Sequence, residues 1–168
     1  LFLTTAGHHV TRLVRSARAG DLDTLPWDPE RGIVDDARLD GFDAVVHLAG
    51  ANIAEGRWTP ERKHLIRESR VKGTRLLCEA LARLTHPPKT LVCASAIGFY
   101  GDRGAEALGE ESPPGAGFLA EVCQAWEAAT QPAEERGIRV VHARLGIVLS
   151  RAGGALVKML LPFQLGVG

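Results

Sequence analysis

Four short apolar runs separated by long helix-period stretches constrain this chain more than anything else in it. The runs are Val10–Val14, Asp43–Leu48, Thr90–Ala94 and Arg139–Ala143. They are rich in valine and leucine and alternate poorly between apolar and polar residues. That is the pattern of strands covered on both faces in a parallel sheet. Turn or stop signals stand before each of them: Gly7, Gly41, Pro87-Pro88 and Gly137. A shorter candidate strand, Thr24–Trp27, is closed by Pro29. Pro60–Leu84 carries Leu65, Ile66, Leu76, Leu77, Ala80, Leu81 and Leu84 at helical spacing, with Thr59 as N-cap and proline at the first helical position. Phe118–Arg136 puts Leu119, Val122, Cys123, Trp126 and Ala129 on one face, and Pro132 bends or ends that helix early. Alternating strands and helices imply βαβ units with right-handed crossovers. The expected fold is α/β with a doubly wound parallel sheet.

The chain has 168 residues, enough for one domain with a core. Its formal net charge is zero, which speaks against nucleic acid or an anionic membrane surface as partner. No apolar run approaches the ~20 residues that span a bilayer. Cys78, Cys93 and Cys123 are odd in number, widely spaced and without a Cys-x-x-Cys pair, so they read as buried thiols in a reducing compartment, the cytoplasm. The six histidines form no metal signature, and adjacent His8 and His9 would point to opposite sides of a strand. Leu1-Phe2-Leu3 reads as the tail of a helix that began earlier, and Leu165-Gly166-Val167-Gly168 as an interruption.

In such sheets ligands bind at the carboxyl ends of the strands. After the first strand come Arg15, Ser16 and Arg18, with Asp21 and Asp23 further on. A cation at this position suits the 2′-phosphate of NADP, whereas an acid suits the ribose of NAD, so NADP is expected over NAD. A solvated basic turn is the plainer alternative. After the second long strand come His47 and then Leu48, Ala49, Gly50, Ala51 and Asn52. Small residues there let backbone approach a flat ligand. His47 itself reads as a satisfied core histidine. After the third come Ser95, Ala96 and Ile97-Gly98-Phe99-Tyr100-Gly101. The Ser95 hydroxyl either meets a carbonyl or hydroxyl substrate or bonds nearby backbone. Residues 101–117 form the longest loop, a length that is often functional.

Leu48-Ala49-Gly50 and Ser95-Ala96-Ile97-Gly98-Phe99-Tyr100-Gly101 resemble the strand ends of extended short-chain dehydrogenases and sugar-nucleotide epimerases. Other stretches are similar to an atypical branch of epimerase family proteins. They include Trp27-Asp28-Pro29, Arg57–Lys63, Ser69-Arg70 to Thr74-Arg75, Phe118–Glu127, Arg144–Leu149 and Gly153–Phe163. The resemblance covers essentially the whole chain. It implies a Rossmann domain binding NADP, with Leu48, Ala49, Gly50 and Ala51 lining the cofactor and the Ser95-Ala96 strand end facing the nicotinamide. Arg15 and Ser16 would meet the adenosine end. Residues 1–150 would be a partial NADP-binding domain and 151–168 the start of a crossover toward a substrate domain. The family's first strand and glycine-rich loop would precede Leu1. In the order 3-2-1-4-5-6 that strand is central, so runs 10–14 and 43–48 would flank its slot. The resemblance also implies a small-molecule substrate and a homodimer paired through helices beside the sheet.

The sequence departs from the family's chemistry. The usual catalysts are Ser, Tyr and Lys, the last two four apart on one helix face. The only tyrosine here is Tyr100, and Gly104 sits four places on. The expected helix carries Phe118 or Leu119 at the tyrosine position and Val122 or Cys123 at the lysine position. Counting back from Tyr100-Gly101 puts either Ser95 or Ala96 at the catalytic serine. Glu121 is an acid or base if partly buried, and otherwise a surface residue. Trp58, Phe118 and Trp126 are candidates to line a substrate cleft, and core packing explains Trp126 equally well. The run Glu61-Arg62-Lys63 with Arg67, Glu68 and Arg70 reads as a solvated helix face with i,i+4 pairs. Two functions stand: an NADP-dependent oxidoreductase or epimerase-like enzyme acting on a small carbonyl, hydroxyl or nucleotide-sugar-like substrate with Ser95 as candidate catalyst, or a noncatalytic NADP-binding protein of structural or regulatory role.

Overall fold

The computed structural model describes residues 2–16, 23–33 and 36–166. Helix α1 (Phe2–Thr5) ends at Gly7, whose φ of 85° favours a residue without a side chain. Then follow strands β1 (Arg12–Val14), β2 (Thr24–Asp28), β3 (Gly32–Ile33) and β4 (Ala44–His47). Next come helix α2 (Pro60–Arg83), strand β5 (Thr90–Ala96) and helices α3 (Phe118–Ala128) and α4 (Gln131–Glu135). Strand β6 (Arg139–Leu145), the short pair β7 (Leu149–Ser150) and β8 (Gly153–Gly154), and α5 (Ala155–Gln164) complete the order.

The long elements match their sequence signals. Thr59 caps α2, its hydroxyl accepting from Arg62 N at 3.3 Å, with Pro60 at the first turn. The stretch expected as one helix over 118–136 is broken at Ala129-Thr130, just ahead of Pro132, so α3 and α4 are separate. The first strand is shorter than the expected Val10–Val14, because Val10 and Thr11 lie ahead of it in irregular chain. His9 Nε2 lies 3.1 Å from Asp23 Oδ1.

Strands β4, β5 and β6 form one parallel sheet, with Ala44 opposite Thr90 and Thr90 opposite Arg139. Strands β1 and β2 pair in parallel, with Arg12 opposite Thr24, and β3 folds back antiparallel on β2. That hairpin was not expected. Among the described residues no ladder joins β1 to β4, and the sheet divides between the two strands expected to flank a central slot.

One core nonetheless serves both parts. Leu25 and Leu39 cluster with Leu77, Leu81, Leu91, Trp126 and Ile138, and Leu13, Val45 and Val140 pack against them. Full burial of a leucine such as Leu77 or Leu81 contributes about 2 kcal/mol. Helix α2 buries Ile66, Thr74, Leu77, Cys78 and Leu81, while Leu65, expected on that face, is exposed. The three cysteines are free and buried, as read from the sequence. Burial pushes the Cys78 and Cys93 thiols up to about 12. Among the described residues no helix is long and apolar enough to cross a membrane, and no cluster of ligating side chains could hold a metal.

Candidate functional site

Parallel pairing puts the carboxyl ends of neighbouring strands at one edge. His47 ends β4 opposite Cys93, and Cys93 lies opposite His142. Val14 ends β1 opposite Pro26. The Trp27 and His47 rings meet edge to face, centroids 5.7 Å apart, which joins the ends of the two sheet portions. Arg15 and Ser16 are exposed just past the end of β1. Arg18 and Asp21 lie outside the described residues.

His47 is a core residue, as expected. It is buried, and its Nε2 is 3.0 Å from Thr74 Oγ1, which also accepts from Trp126 Nε1 at 2.8 Å. Burial penalises its charged form and pushes its pKa down to about 4.

The four residues after His47 form an open floor with small side chains beyond the exposed Leu48. Two residues of α2 hold it from beneath. Ser69 Oγ accepts from Ala51 N at 3.0 Å, and Arg70 Nη1 donates to Ala51 O at 3.1 Å and to Ile66 O at 3.1 Å. The Arg70 guanidinium also lies over the Trp126 ring, 5.1 Å from its centroid. A side chain at position 50 would start 3.1 Å from Arg70 Cζ, so glycine there makes room for the cation. The residues 61–70 are thus not simply a solvated face. Arg62 reaches back to the Asn52 carbonyl and to Glu55, and Arg67 pairs with Glu68, so these ion pairs are not i,i+4.

Ser95 is buried, its hydroxyl donating to Glu127 Oε1 at 2.6 Å. The following residue, Ala96, is half-buried and ends the strand. Glu127 projects from α3 and takes a two-pronged grip from Arg144 of β6. Arg144 Nε donates to Oε1 and Nη2 to Oε2, both at 2.9 Å. Burial works against the Glu127 charge, but the hydrogen bonds from Arg144 and Ser95 outweigh it and hold the carboxyl below its usual value. The hydrogen bond to Glu127 pushes Arg144 the other way, well above its ordinary value. The same guanidinium donates through Nη1 to the Tyr100 hydroxyl and to the Glu110 carbonyl, each at 2.9 Å, and lies 3.6 Å from the Phe99 ring centroid.

Beside this network opens a cleft of about 390 Å³. Trp58, Phe118 and Leu119 line it together with Gly98 and both ends of the 101–117 loop, at Gly101, Asp102, Ala116 and Gly117. Trp58 and Phe118 meet edge to face at 5.7 Å, so two of the three aromatic candidates come together. Trp126 is in the core instead. Phe118 and Leu119, at the position where a tyrosine would serve, wall the cleft, while Val122 and Cys123 are buried beneath. Glu121 is exposed on the first turn of α3. Sequence reading missed Arg70, Glu127 and Arg144 as site residues. The available signal was Arg144 itself, a charge inside an apolar strand that needs a partner.

The family model described as NAD dependent epimerase/dehydratase family matches residues 2–162. An epimerase family protein of Mycobacterium bovis is 45% identical over 166 residues, 99% of this chain and 54% of that protein. The nucleoside-diphosphate sugar epimerase of Corynebacterium glutamicum superposes with a TM-score of 0.82 at 44% identity, covering 96% of this chain and 33% of the other. The human epimerase family protein SDR39U1, solved with NADPH, gives 0.85 at 32% identity, covering 99% of this chain and 55% of that one. This chain spans about half the length of the curated relatives it matches. With its parallel strands, shared strand-end edge and these likenesses, it has a Rossmann-type α/β fold and belongs to the NAD dependent epimerase/dehydratase family.

Proposed function

We propose that this chain is the NADP-binding part of an oxidoreductase or epimerase-like enzyme acting on a small carbonyl, hydroxyl or nucleotide-sugar-like compound without a tyrosine–lysine pair. The observation that carries the reading is the floor Leu48–Ala51, open above and fastened from below by Ser69 and Arg70. Its small residues fit a flat dinucleotide laid across the strand ends, and Arg15, exposed just past β1, suits a 2′-phosphate. The human relative solved with NADPH supports NADP over NAD.

In this reading Leu48, Ala49, Gly50 and Ala51 hold the cofactor, Arg15 and Ser16 meet its adenosine end, and Ser95 and Ala96 face the nicotinamide, which supplies or accepts a hydride when bound. Ser95 remains the candidate catalytic hydroxyl, with its proton directed at Glu127. Residues 1–150 form the cofactor part, and 151–168 begin the crossover to the substrate part. The working protein is a cytoplasmic homodimer.

A second reading, noncatalytic NADP binding as a structural or regulatory signal, is favoured by the apolar Phe118, Leu119, Val122 and Cys123 where a tyrosine and a lysine would serve, and by the engagement of Ser95 with Glu127. Steady-state NADPH oxidation by the full-length protein against a panel of carbonyl compounds separates the two. Turnover of any compound supports the enzyme, and its loss in Ser95→Ala gives the hydroxyl a direct part. Tight NADPH binding with no turnover across the panel supports the second reading.

A further inference from the structure

Arg144 is the one side chain among the described residues whose hydrogen bonds tie β6, α3, the segment after β5 and the 101–117 loop to a single point. Four of its five N–H donor directions are used: two on Glu127, one on Tyr100 and one on the Glu110 carbonyl. Its flat face covers Phe99. Glu127 is fixed in turn by Ser95. The Glu110 contact matters most, because it reaches the middle of a loop with no regular structure of its own. The ends of that loop wall the cleft beside Trp58 and Phe118.

We propose that Arg144 is a positioning residue that clamps the 101–117 loop in place as one wall of the substrate cleft, with Glu127 and Ser95 as its anchor. This rests on the functional reading above in treating the cleft as the substrate side of the cofactor edge. The clamp acts on the loop and leaves the Leu48–Ala51 floor, which Ser69 and Arg70 hold independently. Lysine at 144 keeps the charge but loses the planar fork, so it cannot serve Glu127, Tyr100 and Glu110 together.

Arg103 offers a direct probe, since it sits in the loop and is followed by Gly104. Limited trypsin digestion of the full-length protein, read by mass spectrometry, gives the cleavage rate after Arg103 relative to that after exposed Arg151. In Arg144→Gln this ratio is expected to rise about tenfold or more, through local opening of the loop. Arg144→Lys gives a smaller rise, and Glu127→Gln behaves likewise because it weakens the anchor. The acrylamide quenching of Trp58, the exposed tryptophan of the three, rises with the cleavage ratio. NADPH affinity of the two Arg144 variants, measured by calorimetry, stays within about threefold of the unsubstituted protein. An unchanged cleavage ratio in Arg144→Gln overturns the proposal. So does a rise in cleavage at both sites with loss of NADPH binding, which would make Arg144 a general structural support. If the unsubstituted protein binds no NADPH, the functional reading fails, while the cleavage ratios still decide whether the loop is clamped.

Discussion

Glu127 and Arg144 face each other as a matched fork, two parallel hydrogen bonds of 2.9 Å between helix α3 and the end of strand β6. Both side chains are largely withdrawn from water, 11% and 22% exposed. In that setting losing one partner costs more than the pair contributes, because the other charge is left poorly solvated. Glu127→Ala is therefore expected to destabilise the protein by about 2–4 kcal/mol in urea unfolding. Glu127→Gln, which keeps an acceptor for Ser95 and Arg144, is expected to lose less than half of that. Equal losses would mean that the neutral acceptor contributes nothing and that the carboxylate's charge carries the whole interaction.

Histidine 47 makes stability depend on pH in a specific window. Its folded pKa is about 4, below the ordinary 6.5, so above pH 6.5 the ring is neutral in both states and contributes no slope. As pH falls from 6.5 toward 4 the unfolded chain takes up a proton that the folded one refuses, and stability drops. The full loss is about 3 kcal/mol once pH is below the folded value. His47→Gln removes this component, so the difference between the two proteins in unfolding free energy should change by about 2 kcal/mol between pH 7 and pH 5. A pH-independent difference would place the ring in contact with water.

The long loop contains its own control. A Cβ on Gly115 would lie 2.8 Å from Gly101 Cα and closer still to the Tyr100 carbonyl, all of it backbone that cannot swing aside. Gly109 in the same loop has nothing within 4 Å of that position. Gly115→Ala should cost about 2–3 kcal/mol in thermal or urea unfolding. Gly109→Ala should change stability by less than about 0.5 kcal/mol. Comparable effects at both sites would show that the loop does not pack against Tyr100-Gly101 as described.

The sequence carried strands β1, β2, β4, β5 and β6 and helices α2 and α3 because their signals are local. Thr59-Pro60 starts α2 and the approach to Pro132 stops α3, each within one turn of the residue that decides it. The paired aromatics of the cleft were also legible as residues, though not as neighbours: Trp58 and Phe118 lie 60 positions apart and meet only because α2 and α3 pack against each other. The β2–β3 hairpin escaped because β3 is two residues long, too short to show a period. Glu127 escaped for a different reason. It looks like any helix glutamate until the register sets Ser95 beside Arg144, and only then do a serine 32 residues away and an arginine 17 away converge on it. Arg70 escaped because helical spacing gives the face a residue occupies, and not the strand-end loop that later covers that face.

The cofactor edge is the centre of the account, and a calorimetric titration of the full-length protein with NADPH and with NADH tests it most directly. One site per chain is expected for NADPH, with NADH bound at least about tenfold more weakly, a difference of about 1.4 kcal/mol. Equal affinities, tighter binding of NADH, or no binding of either dinucleotide would contradict it.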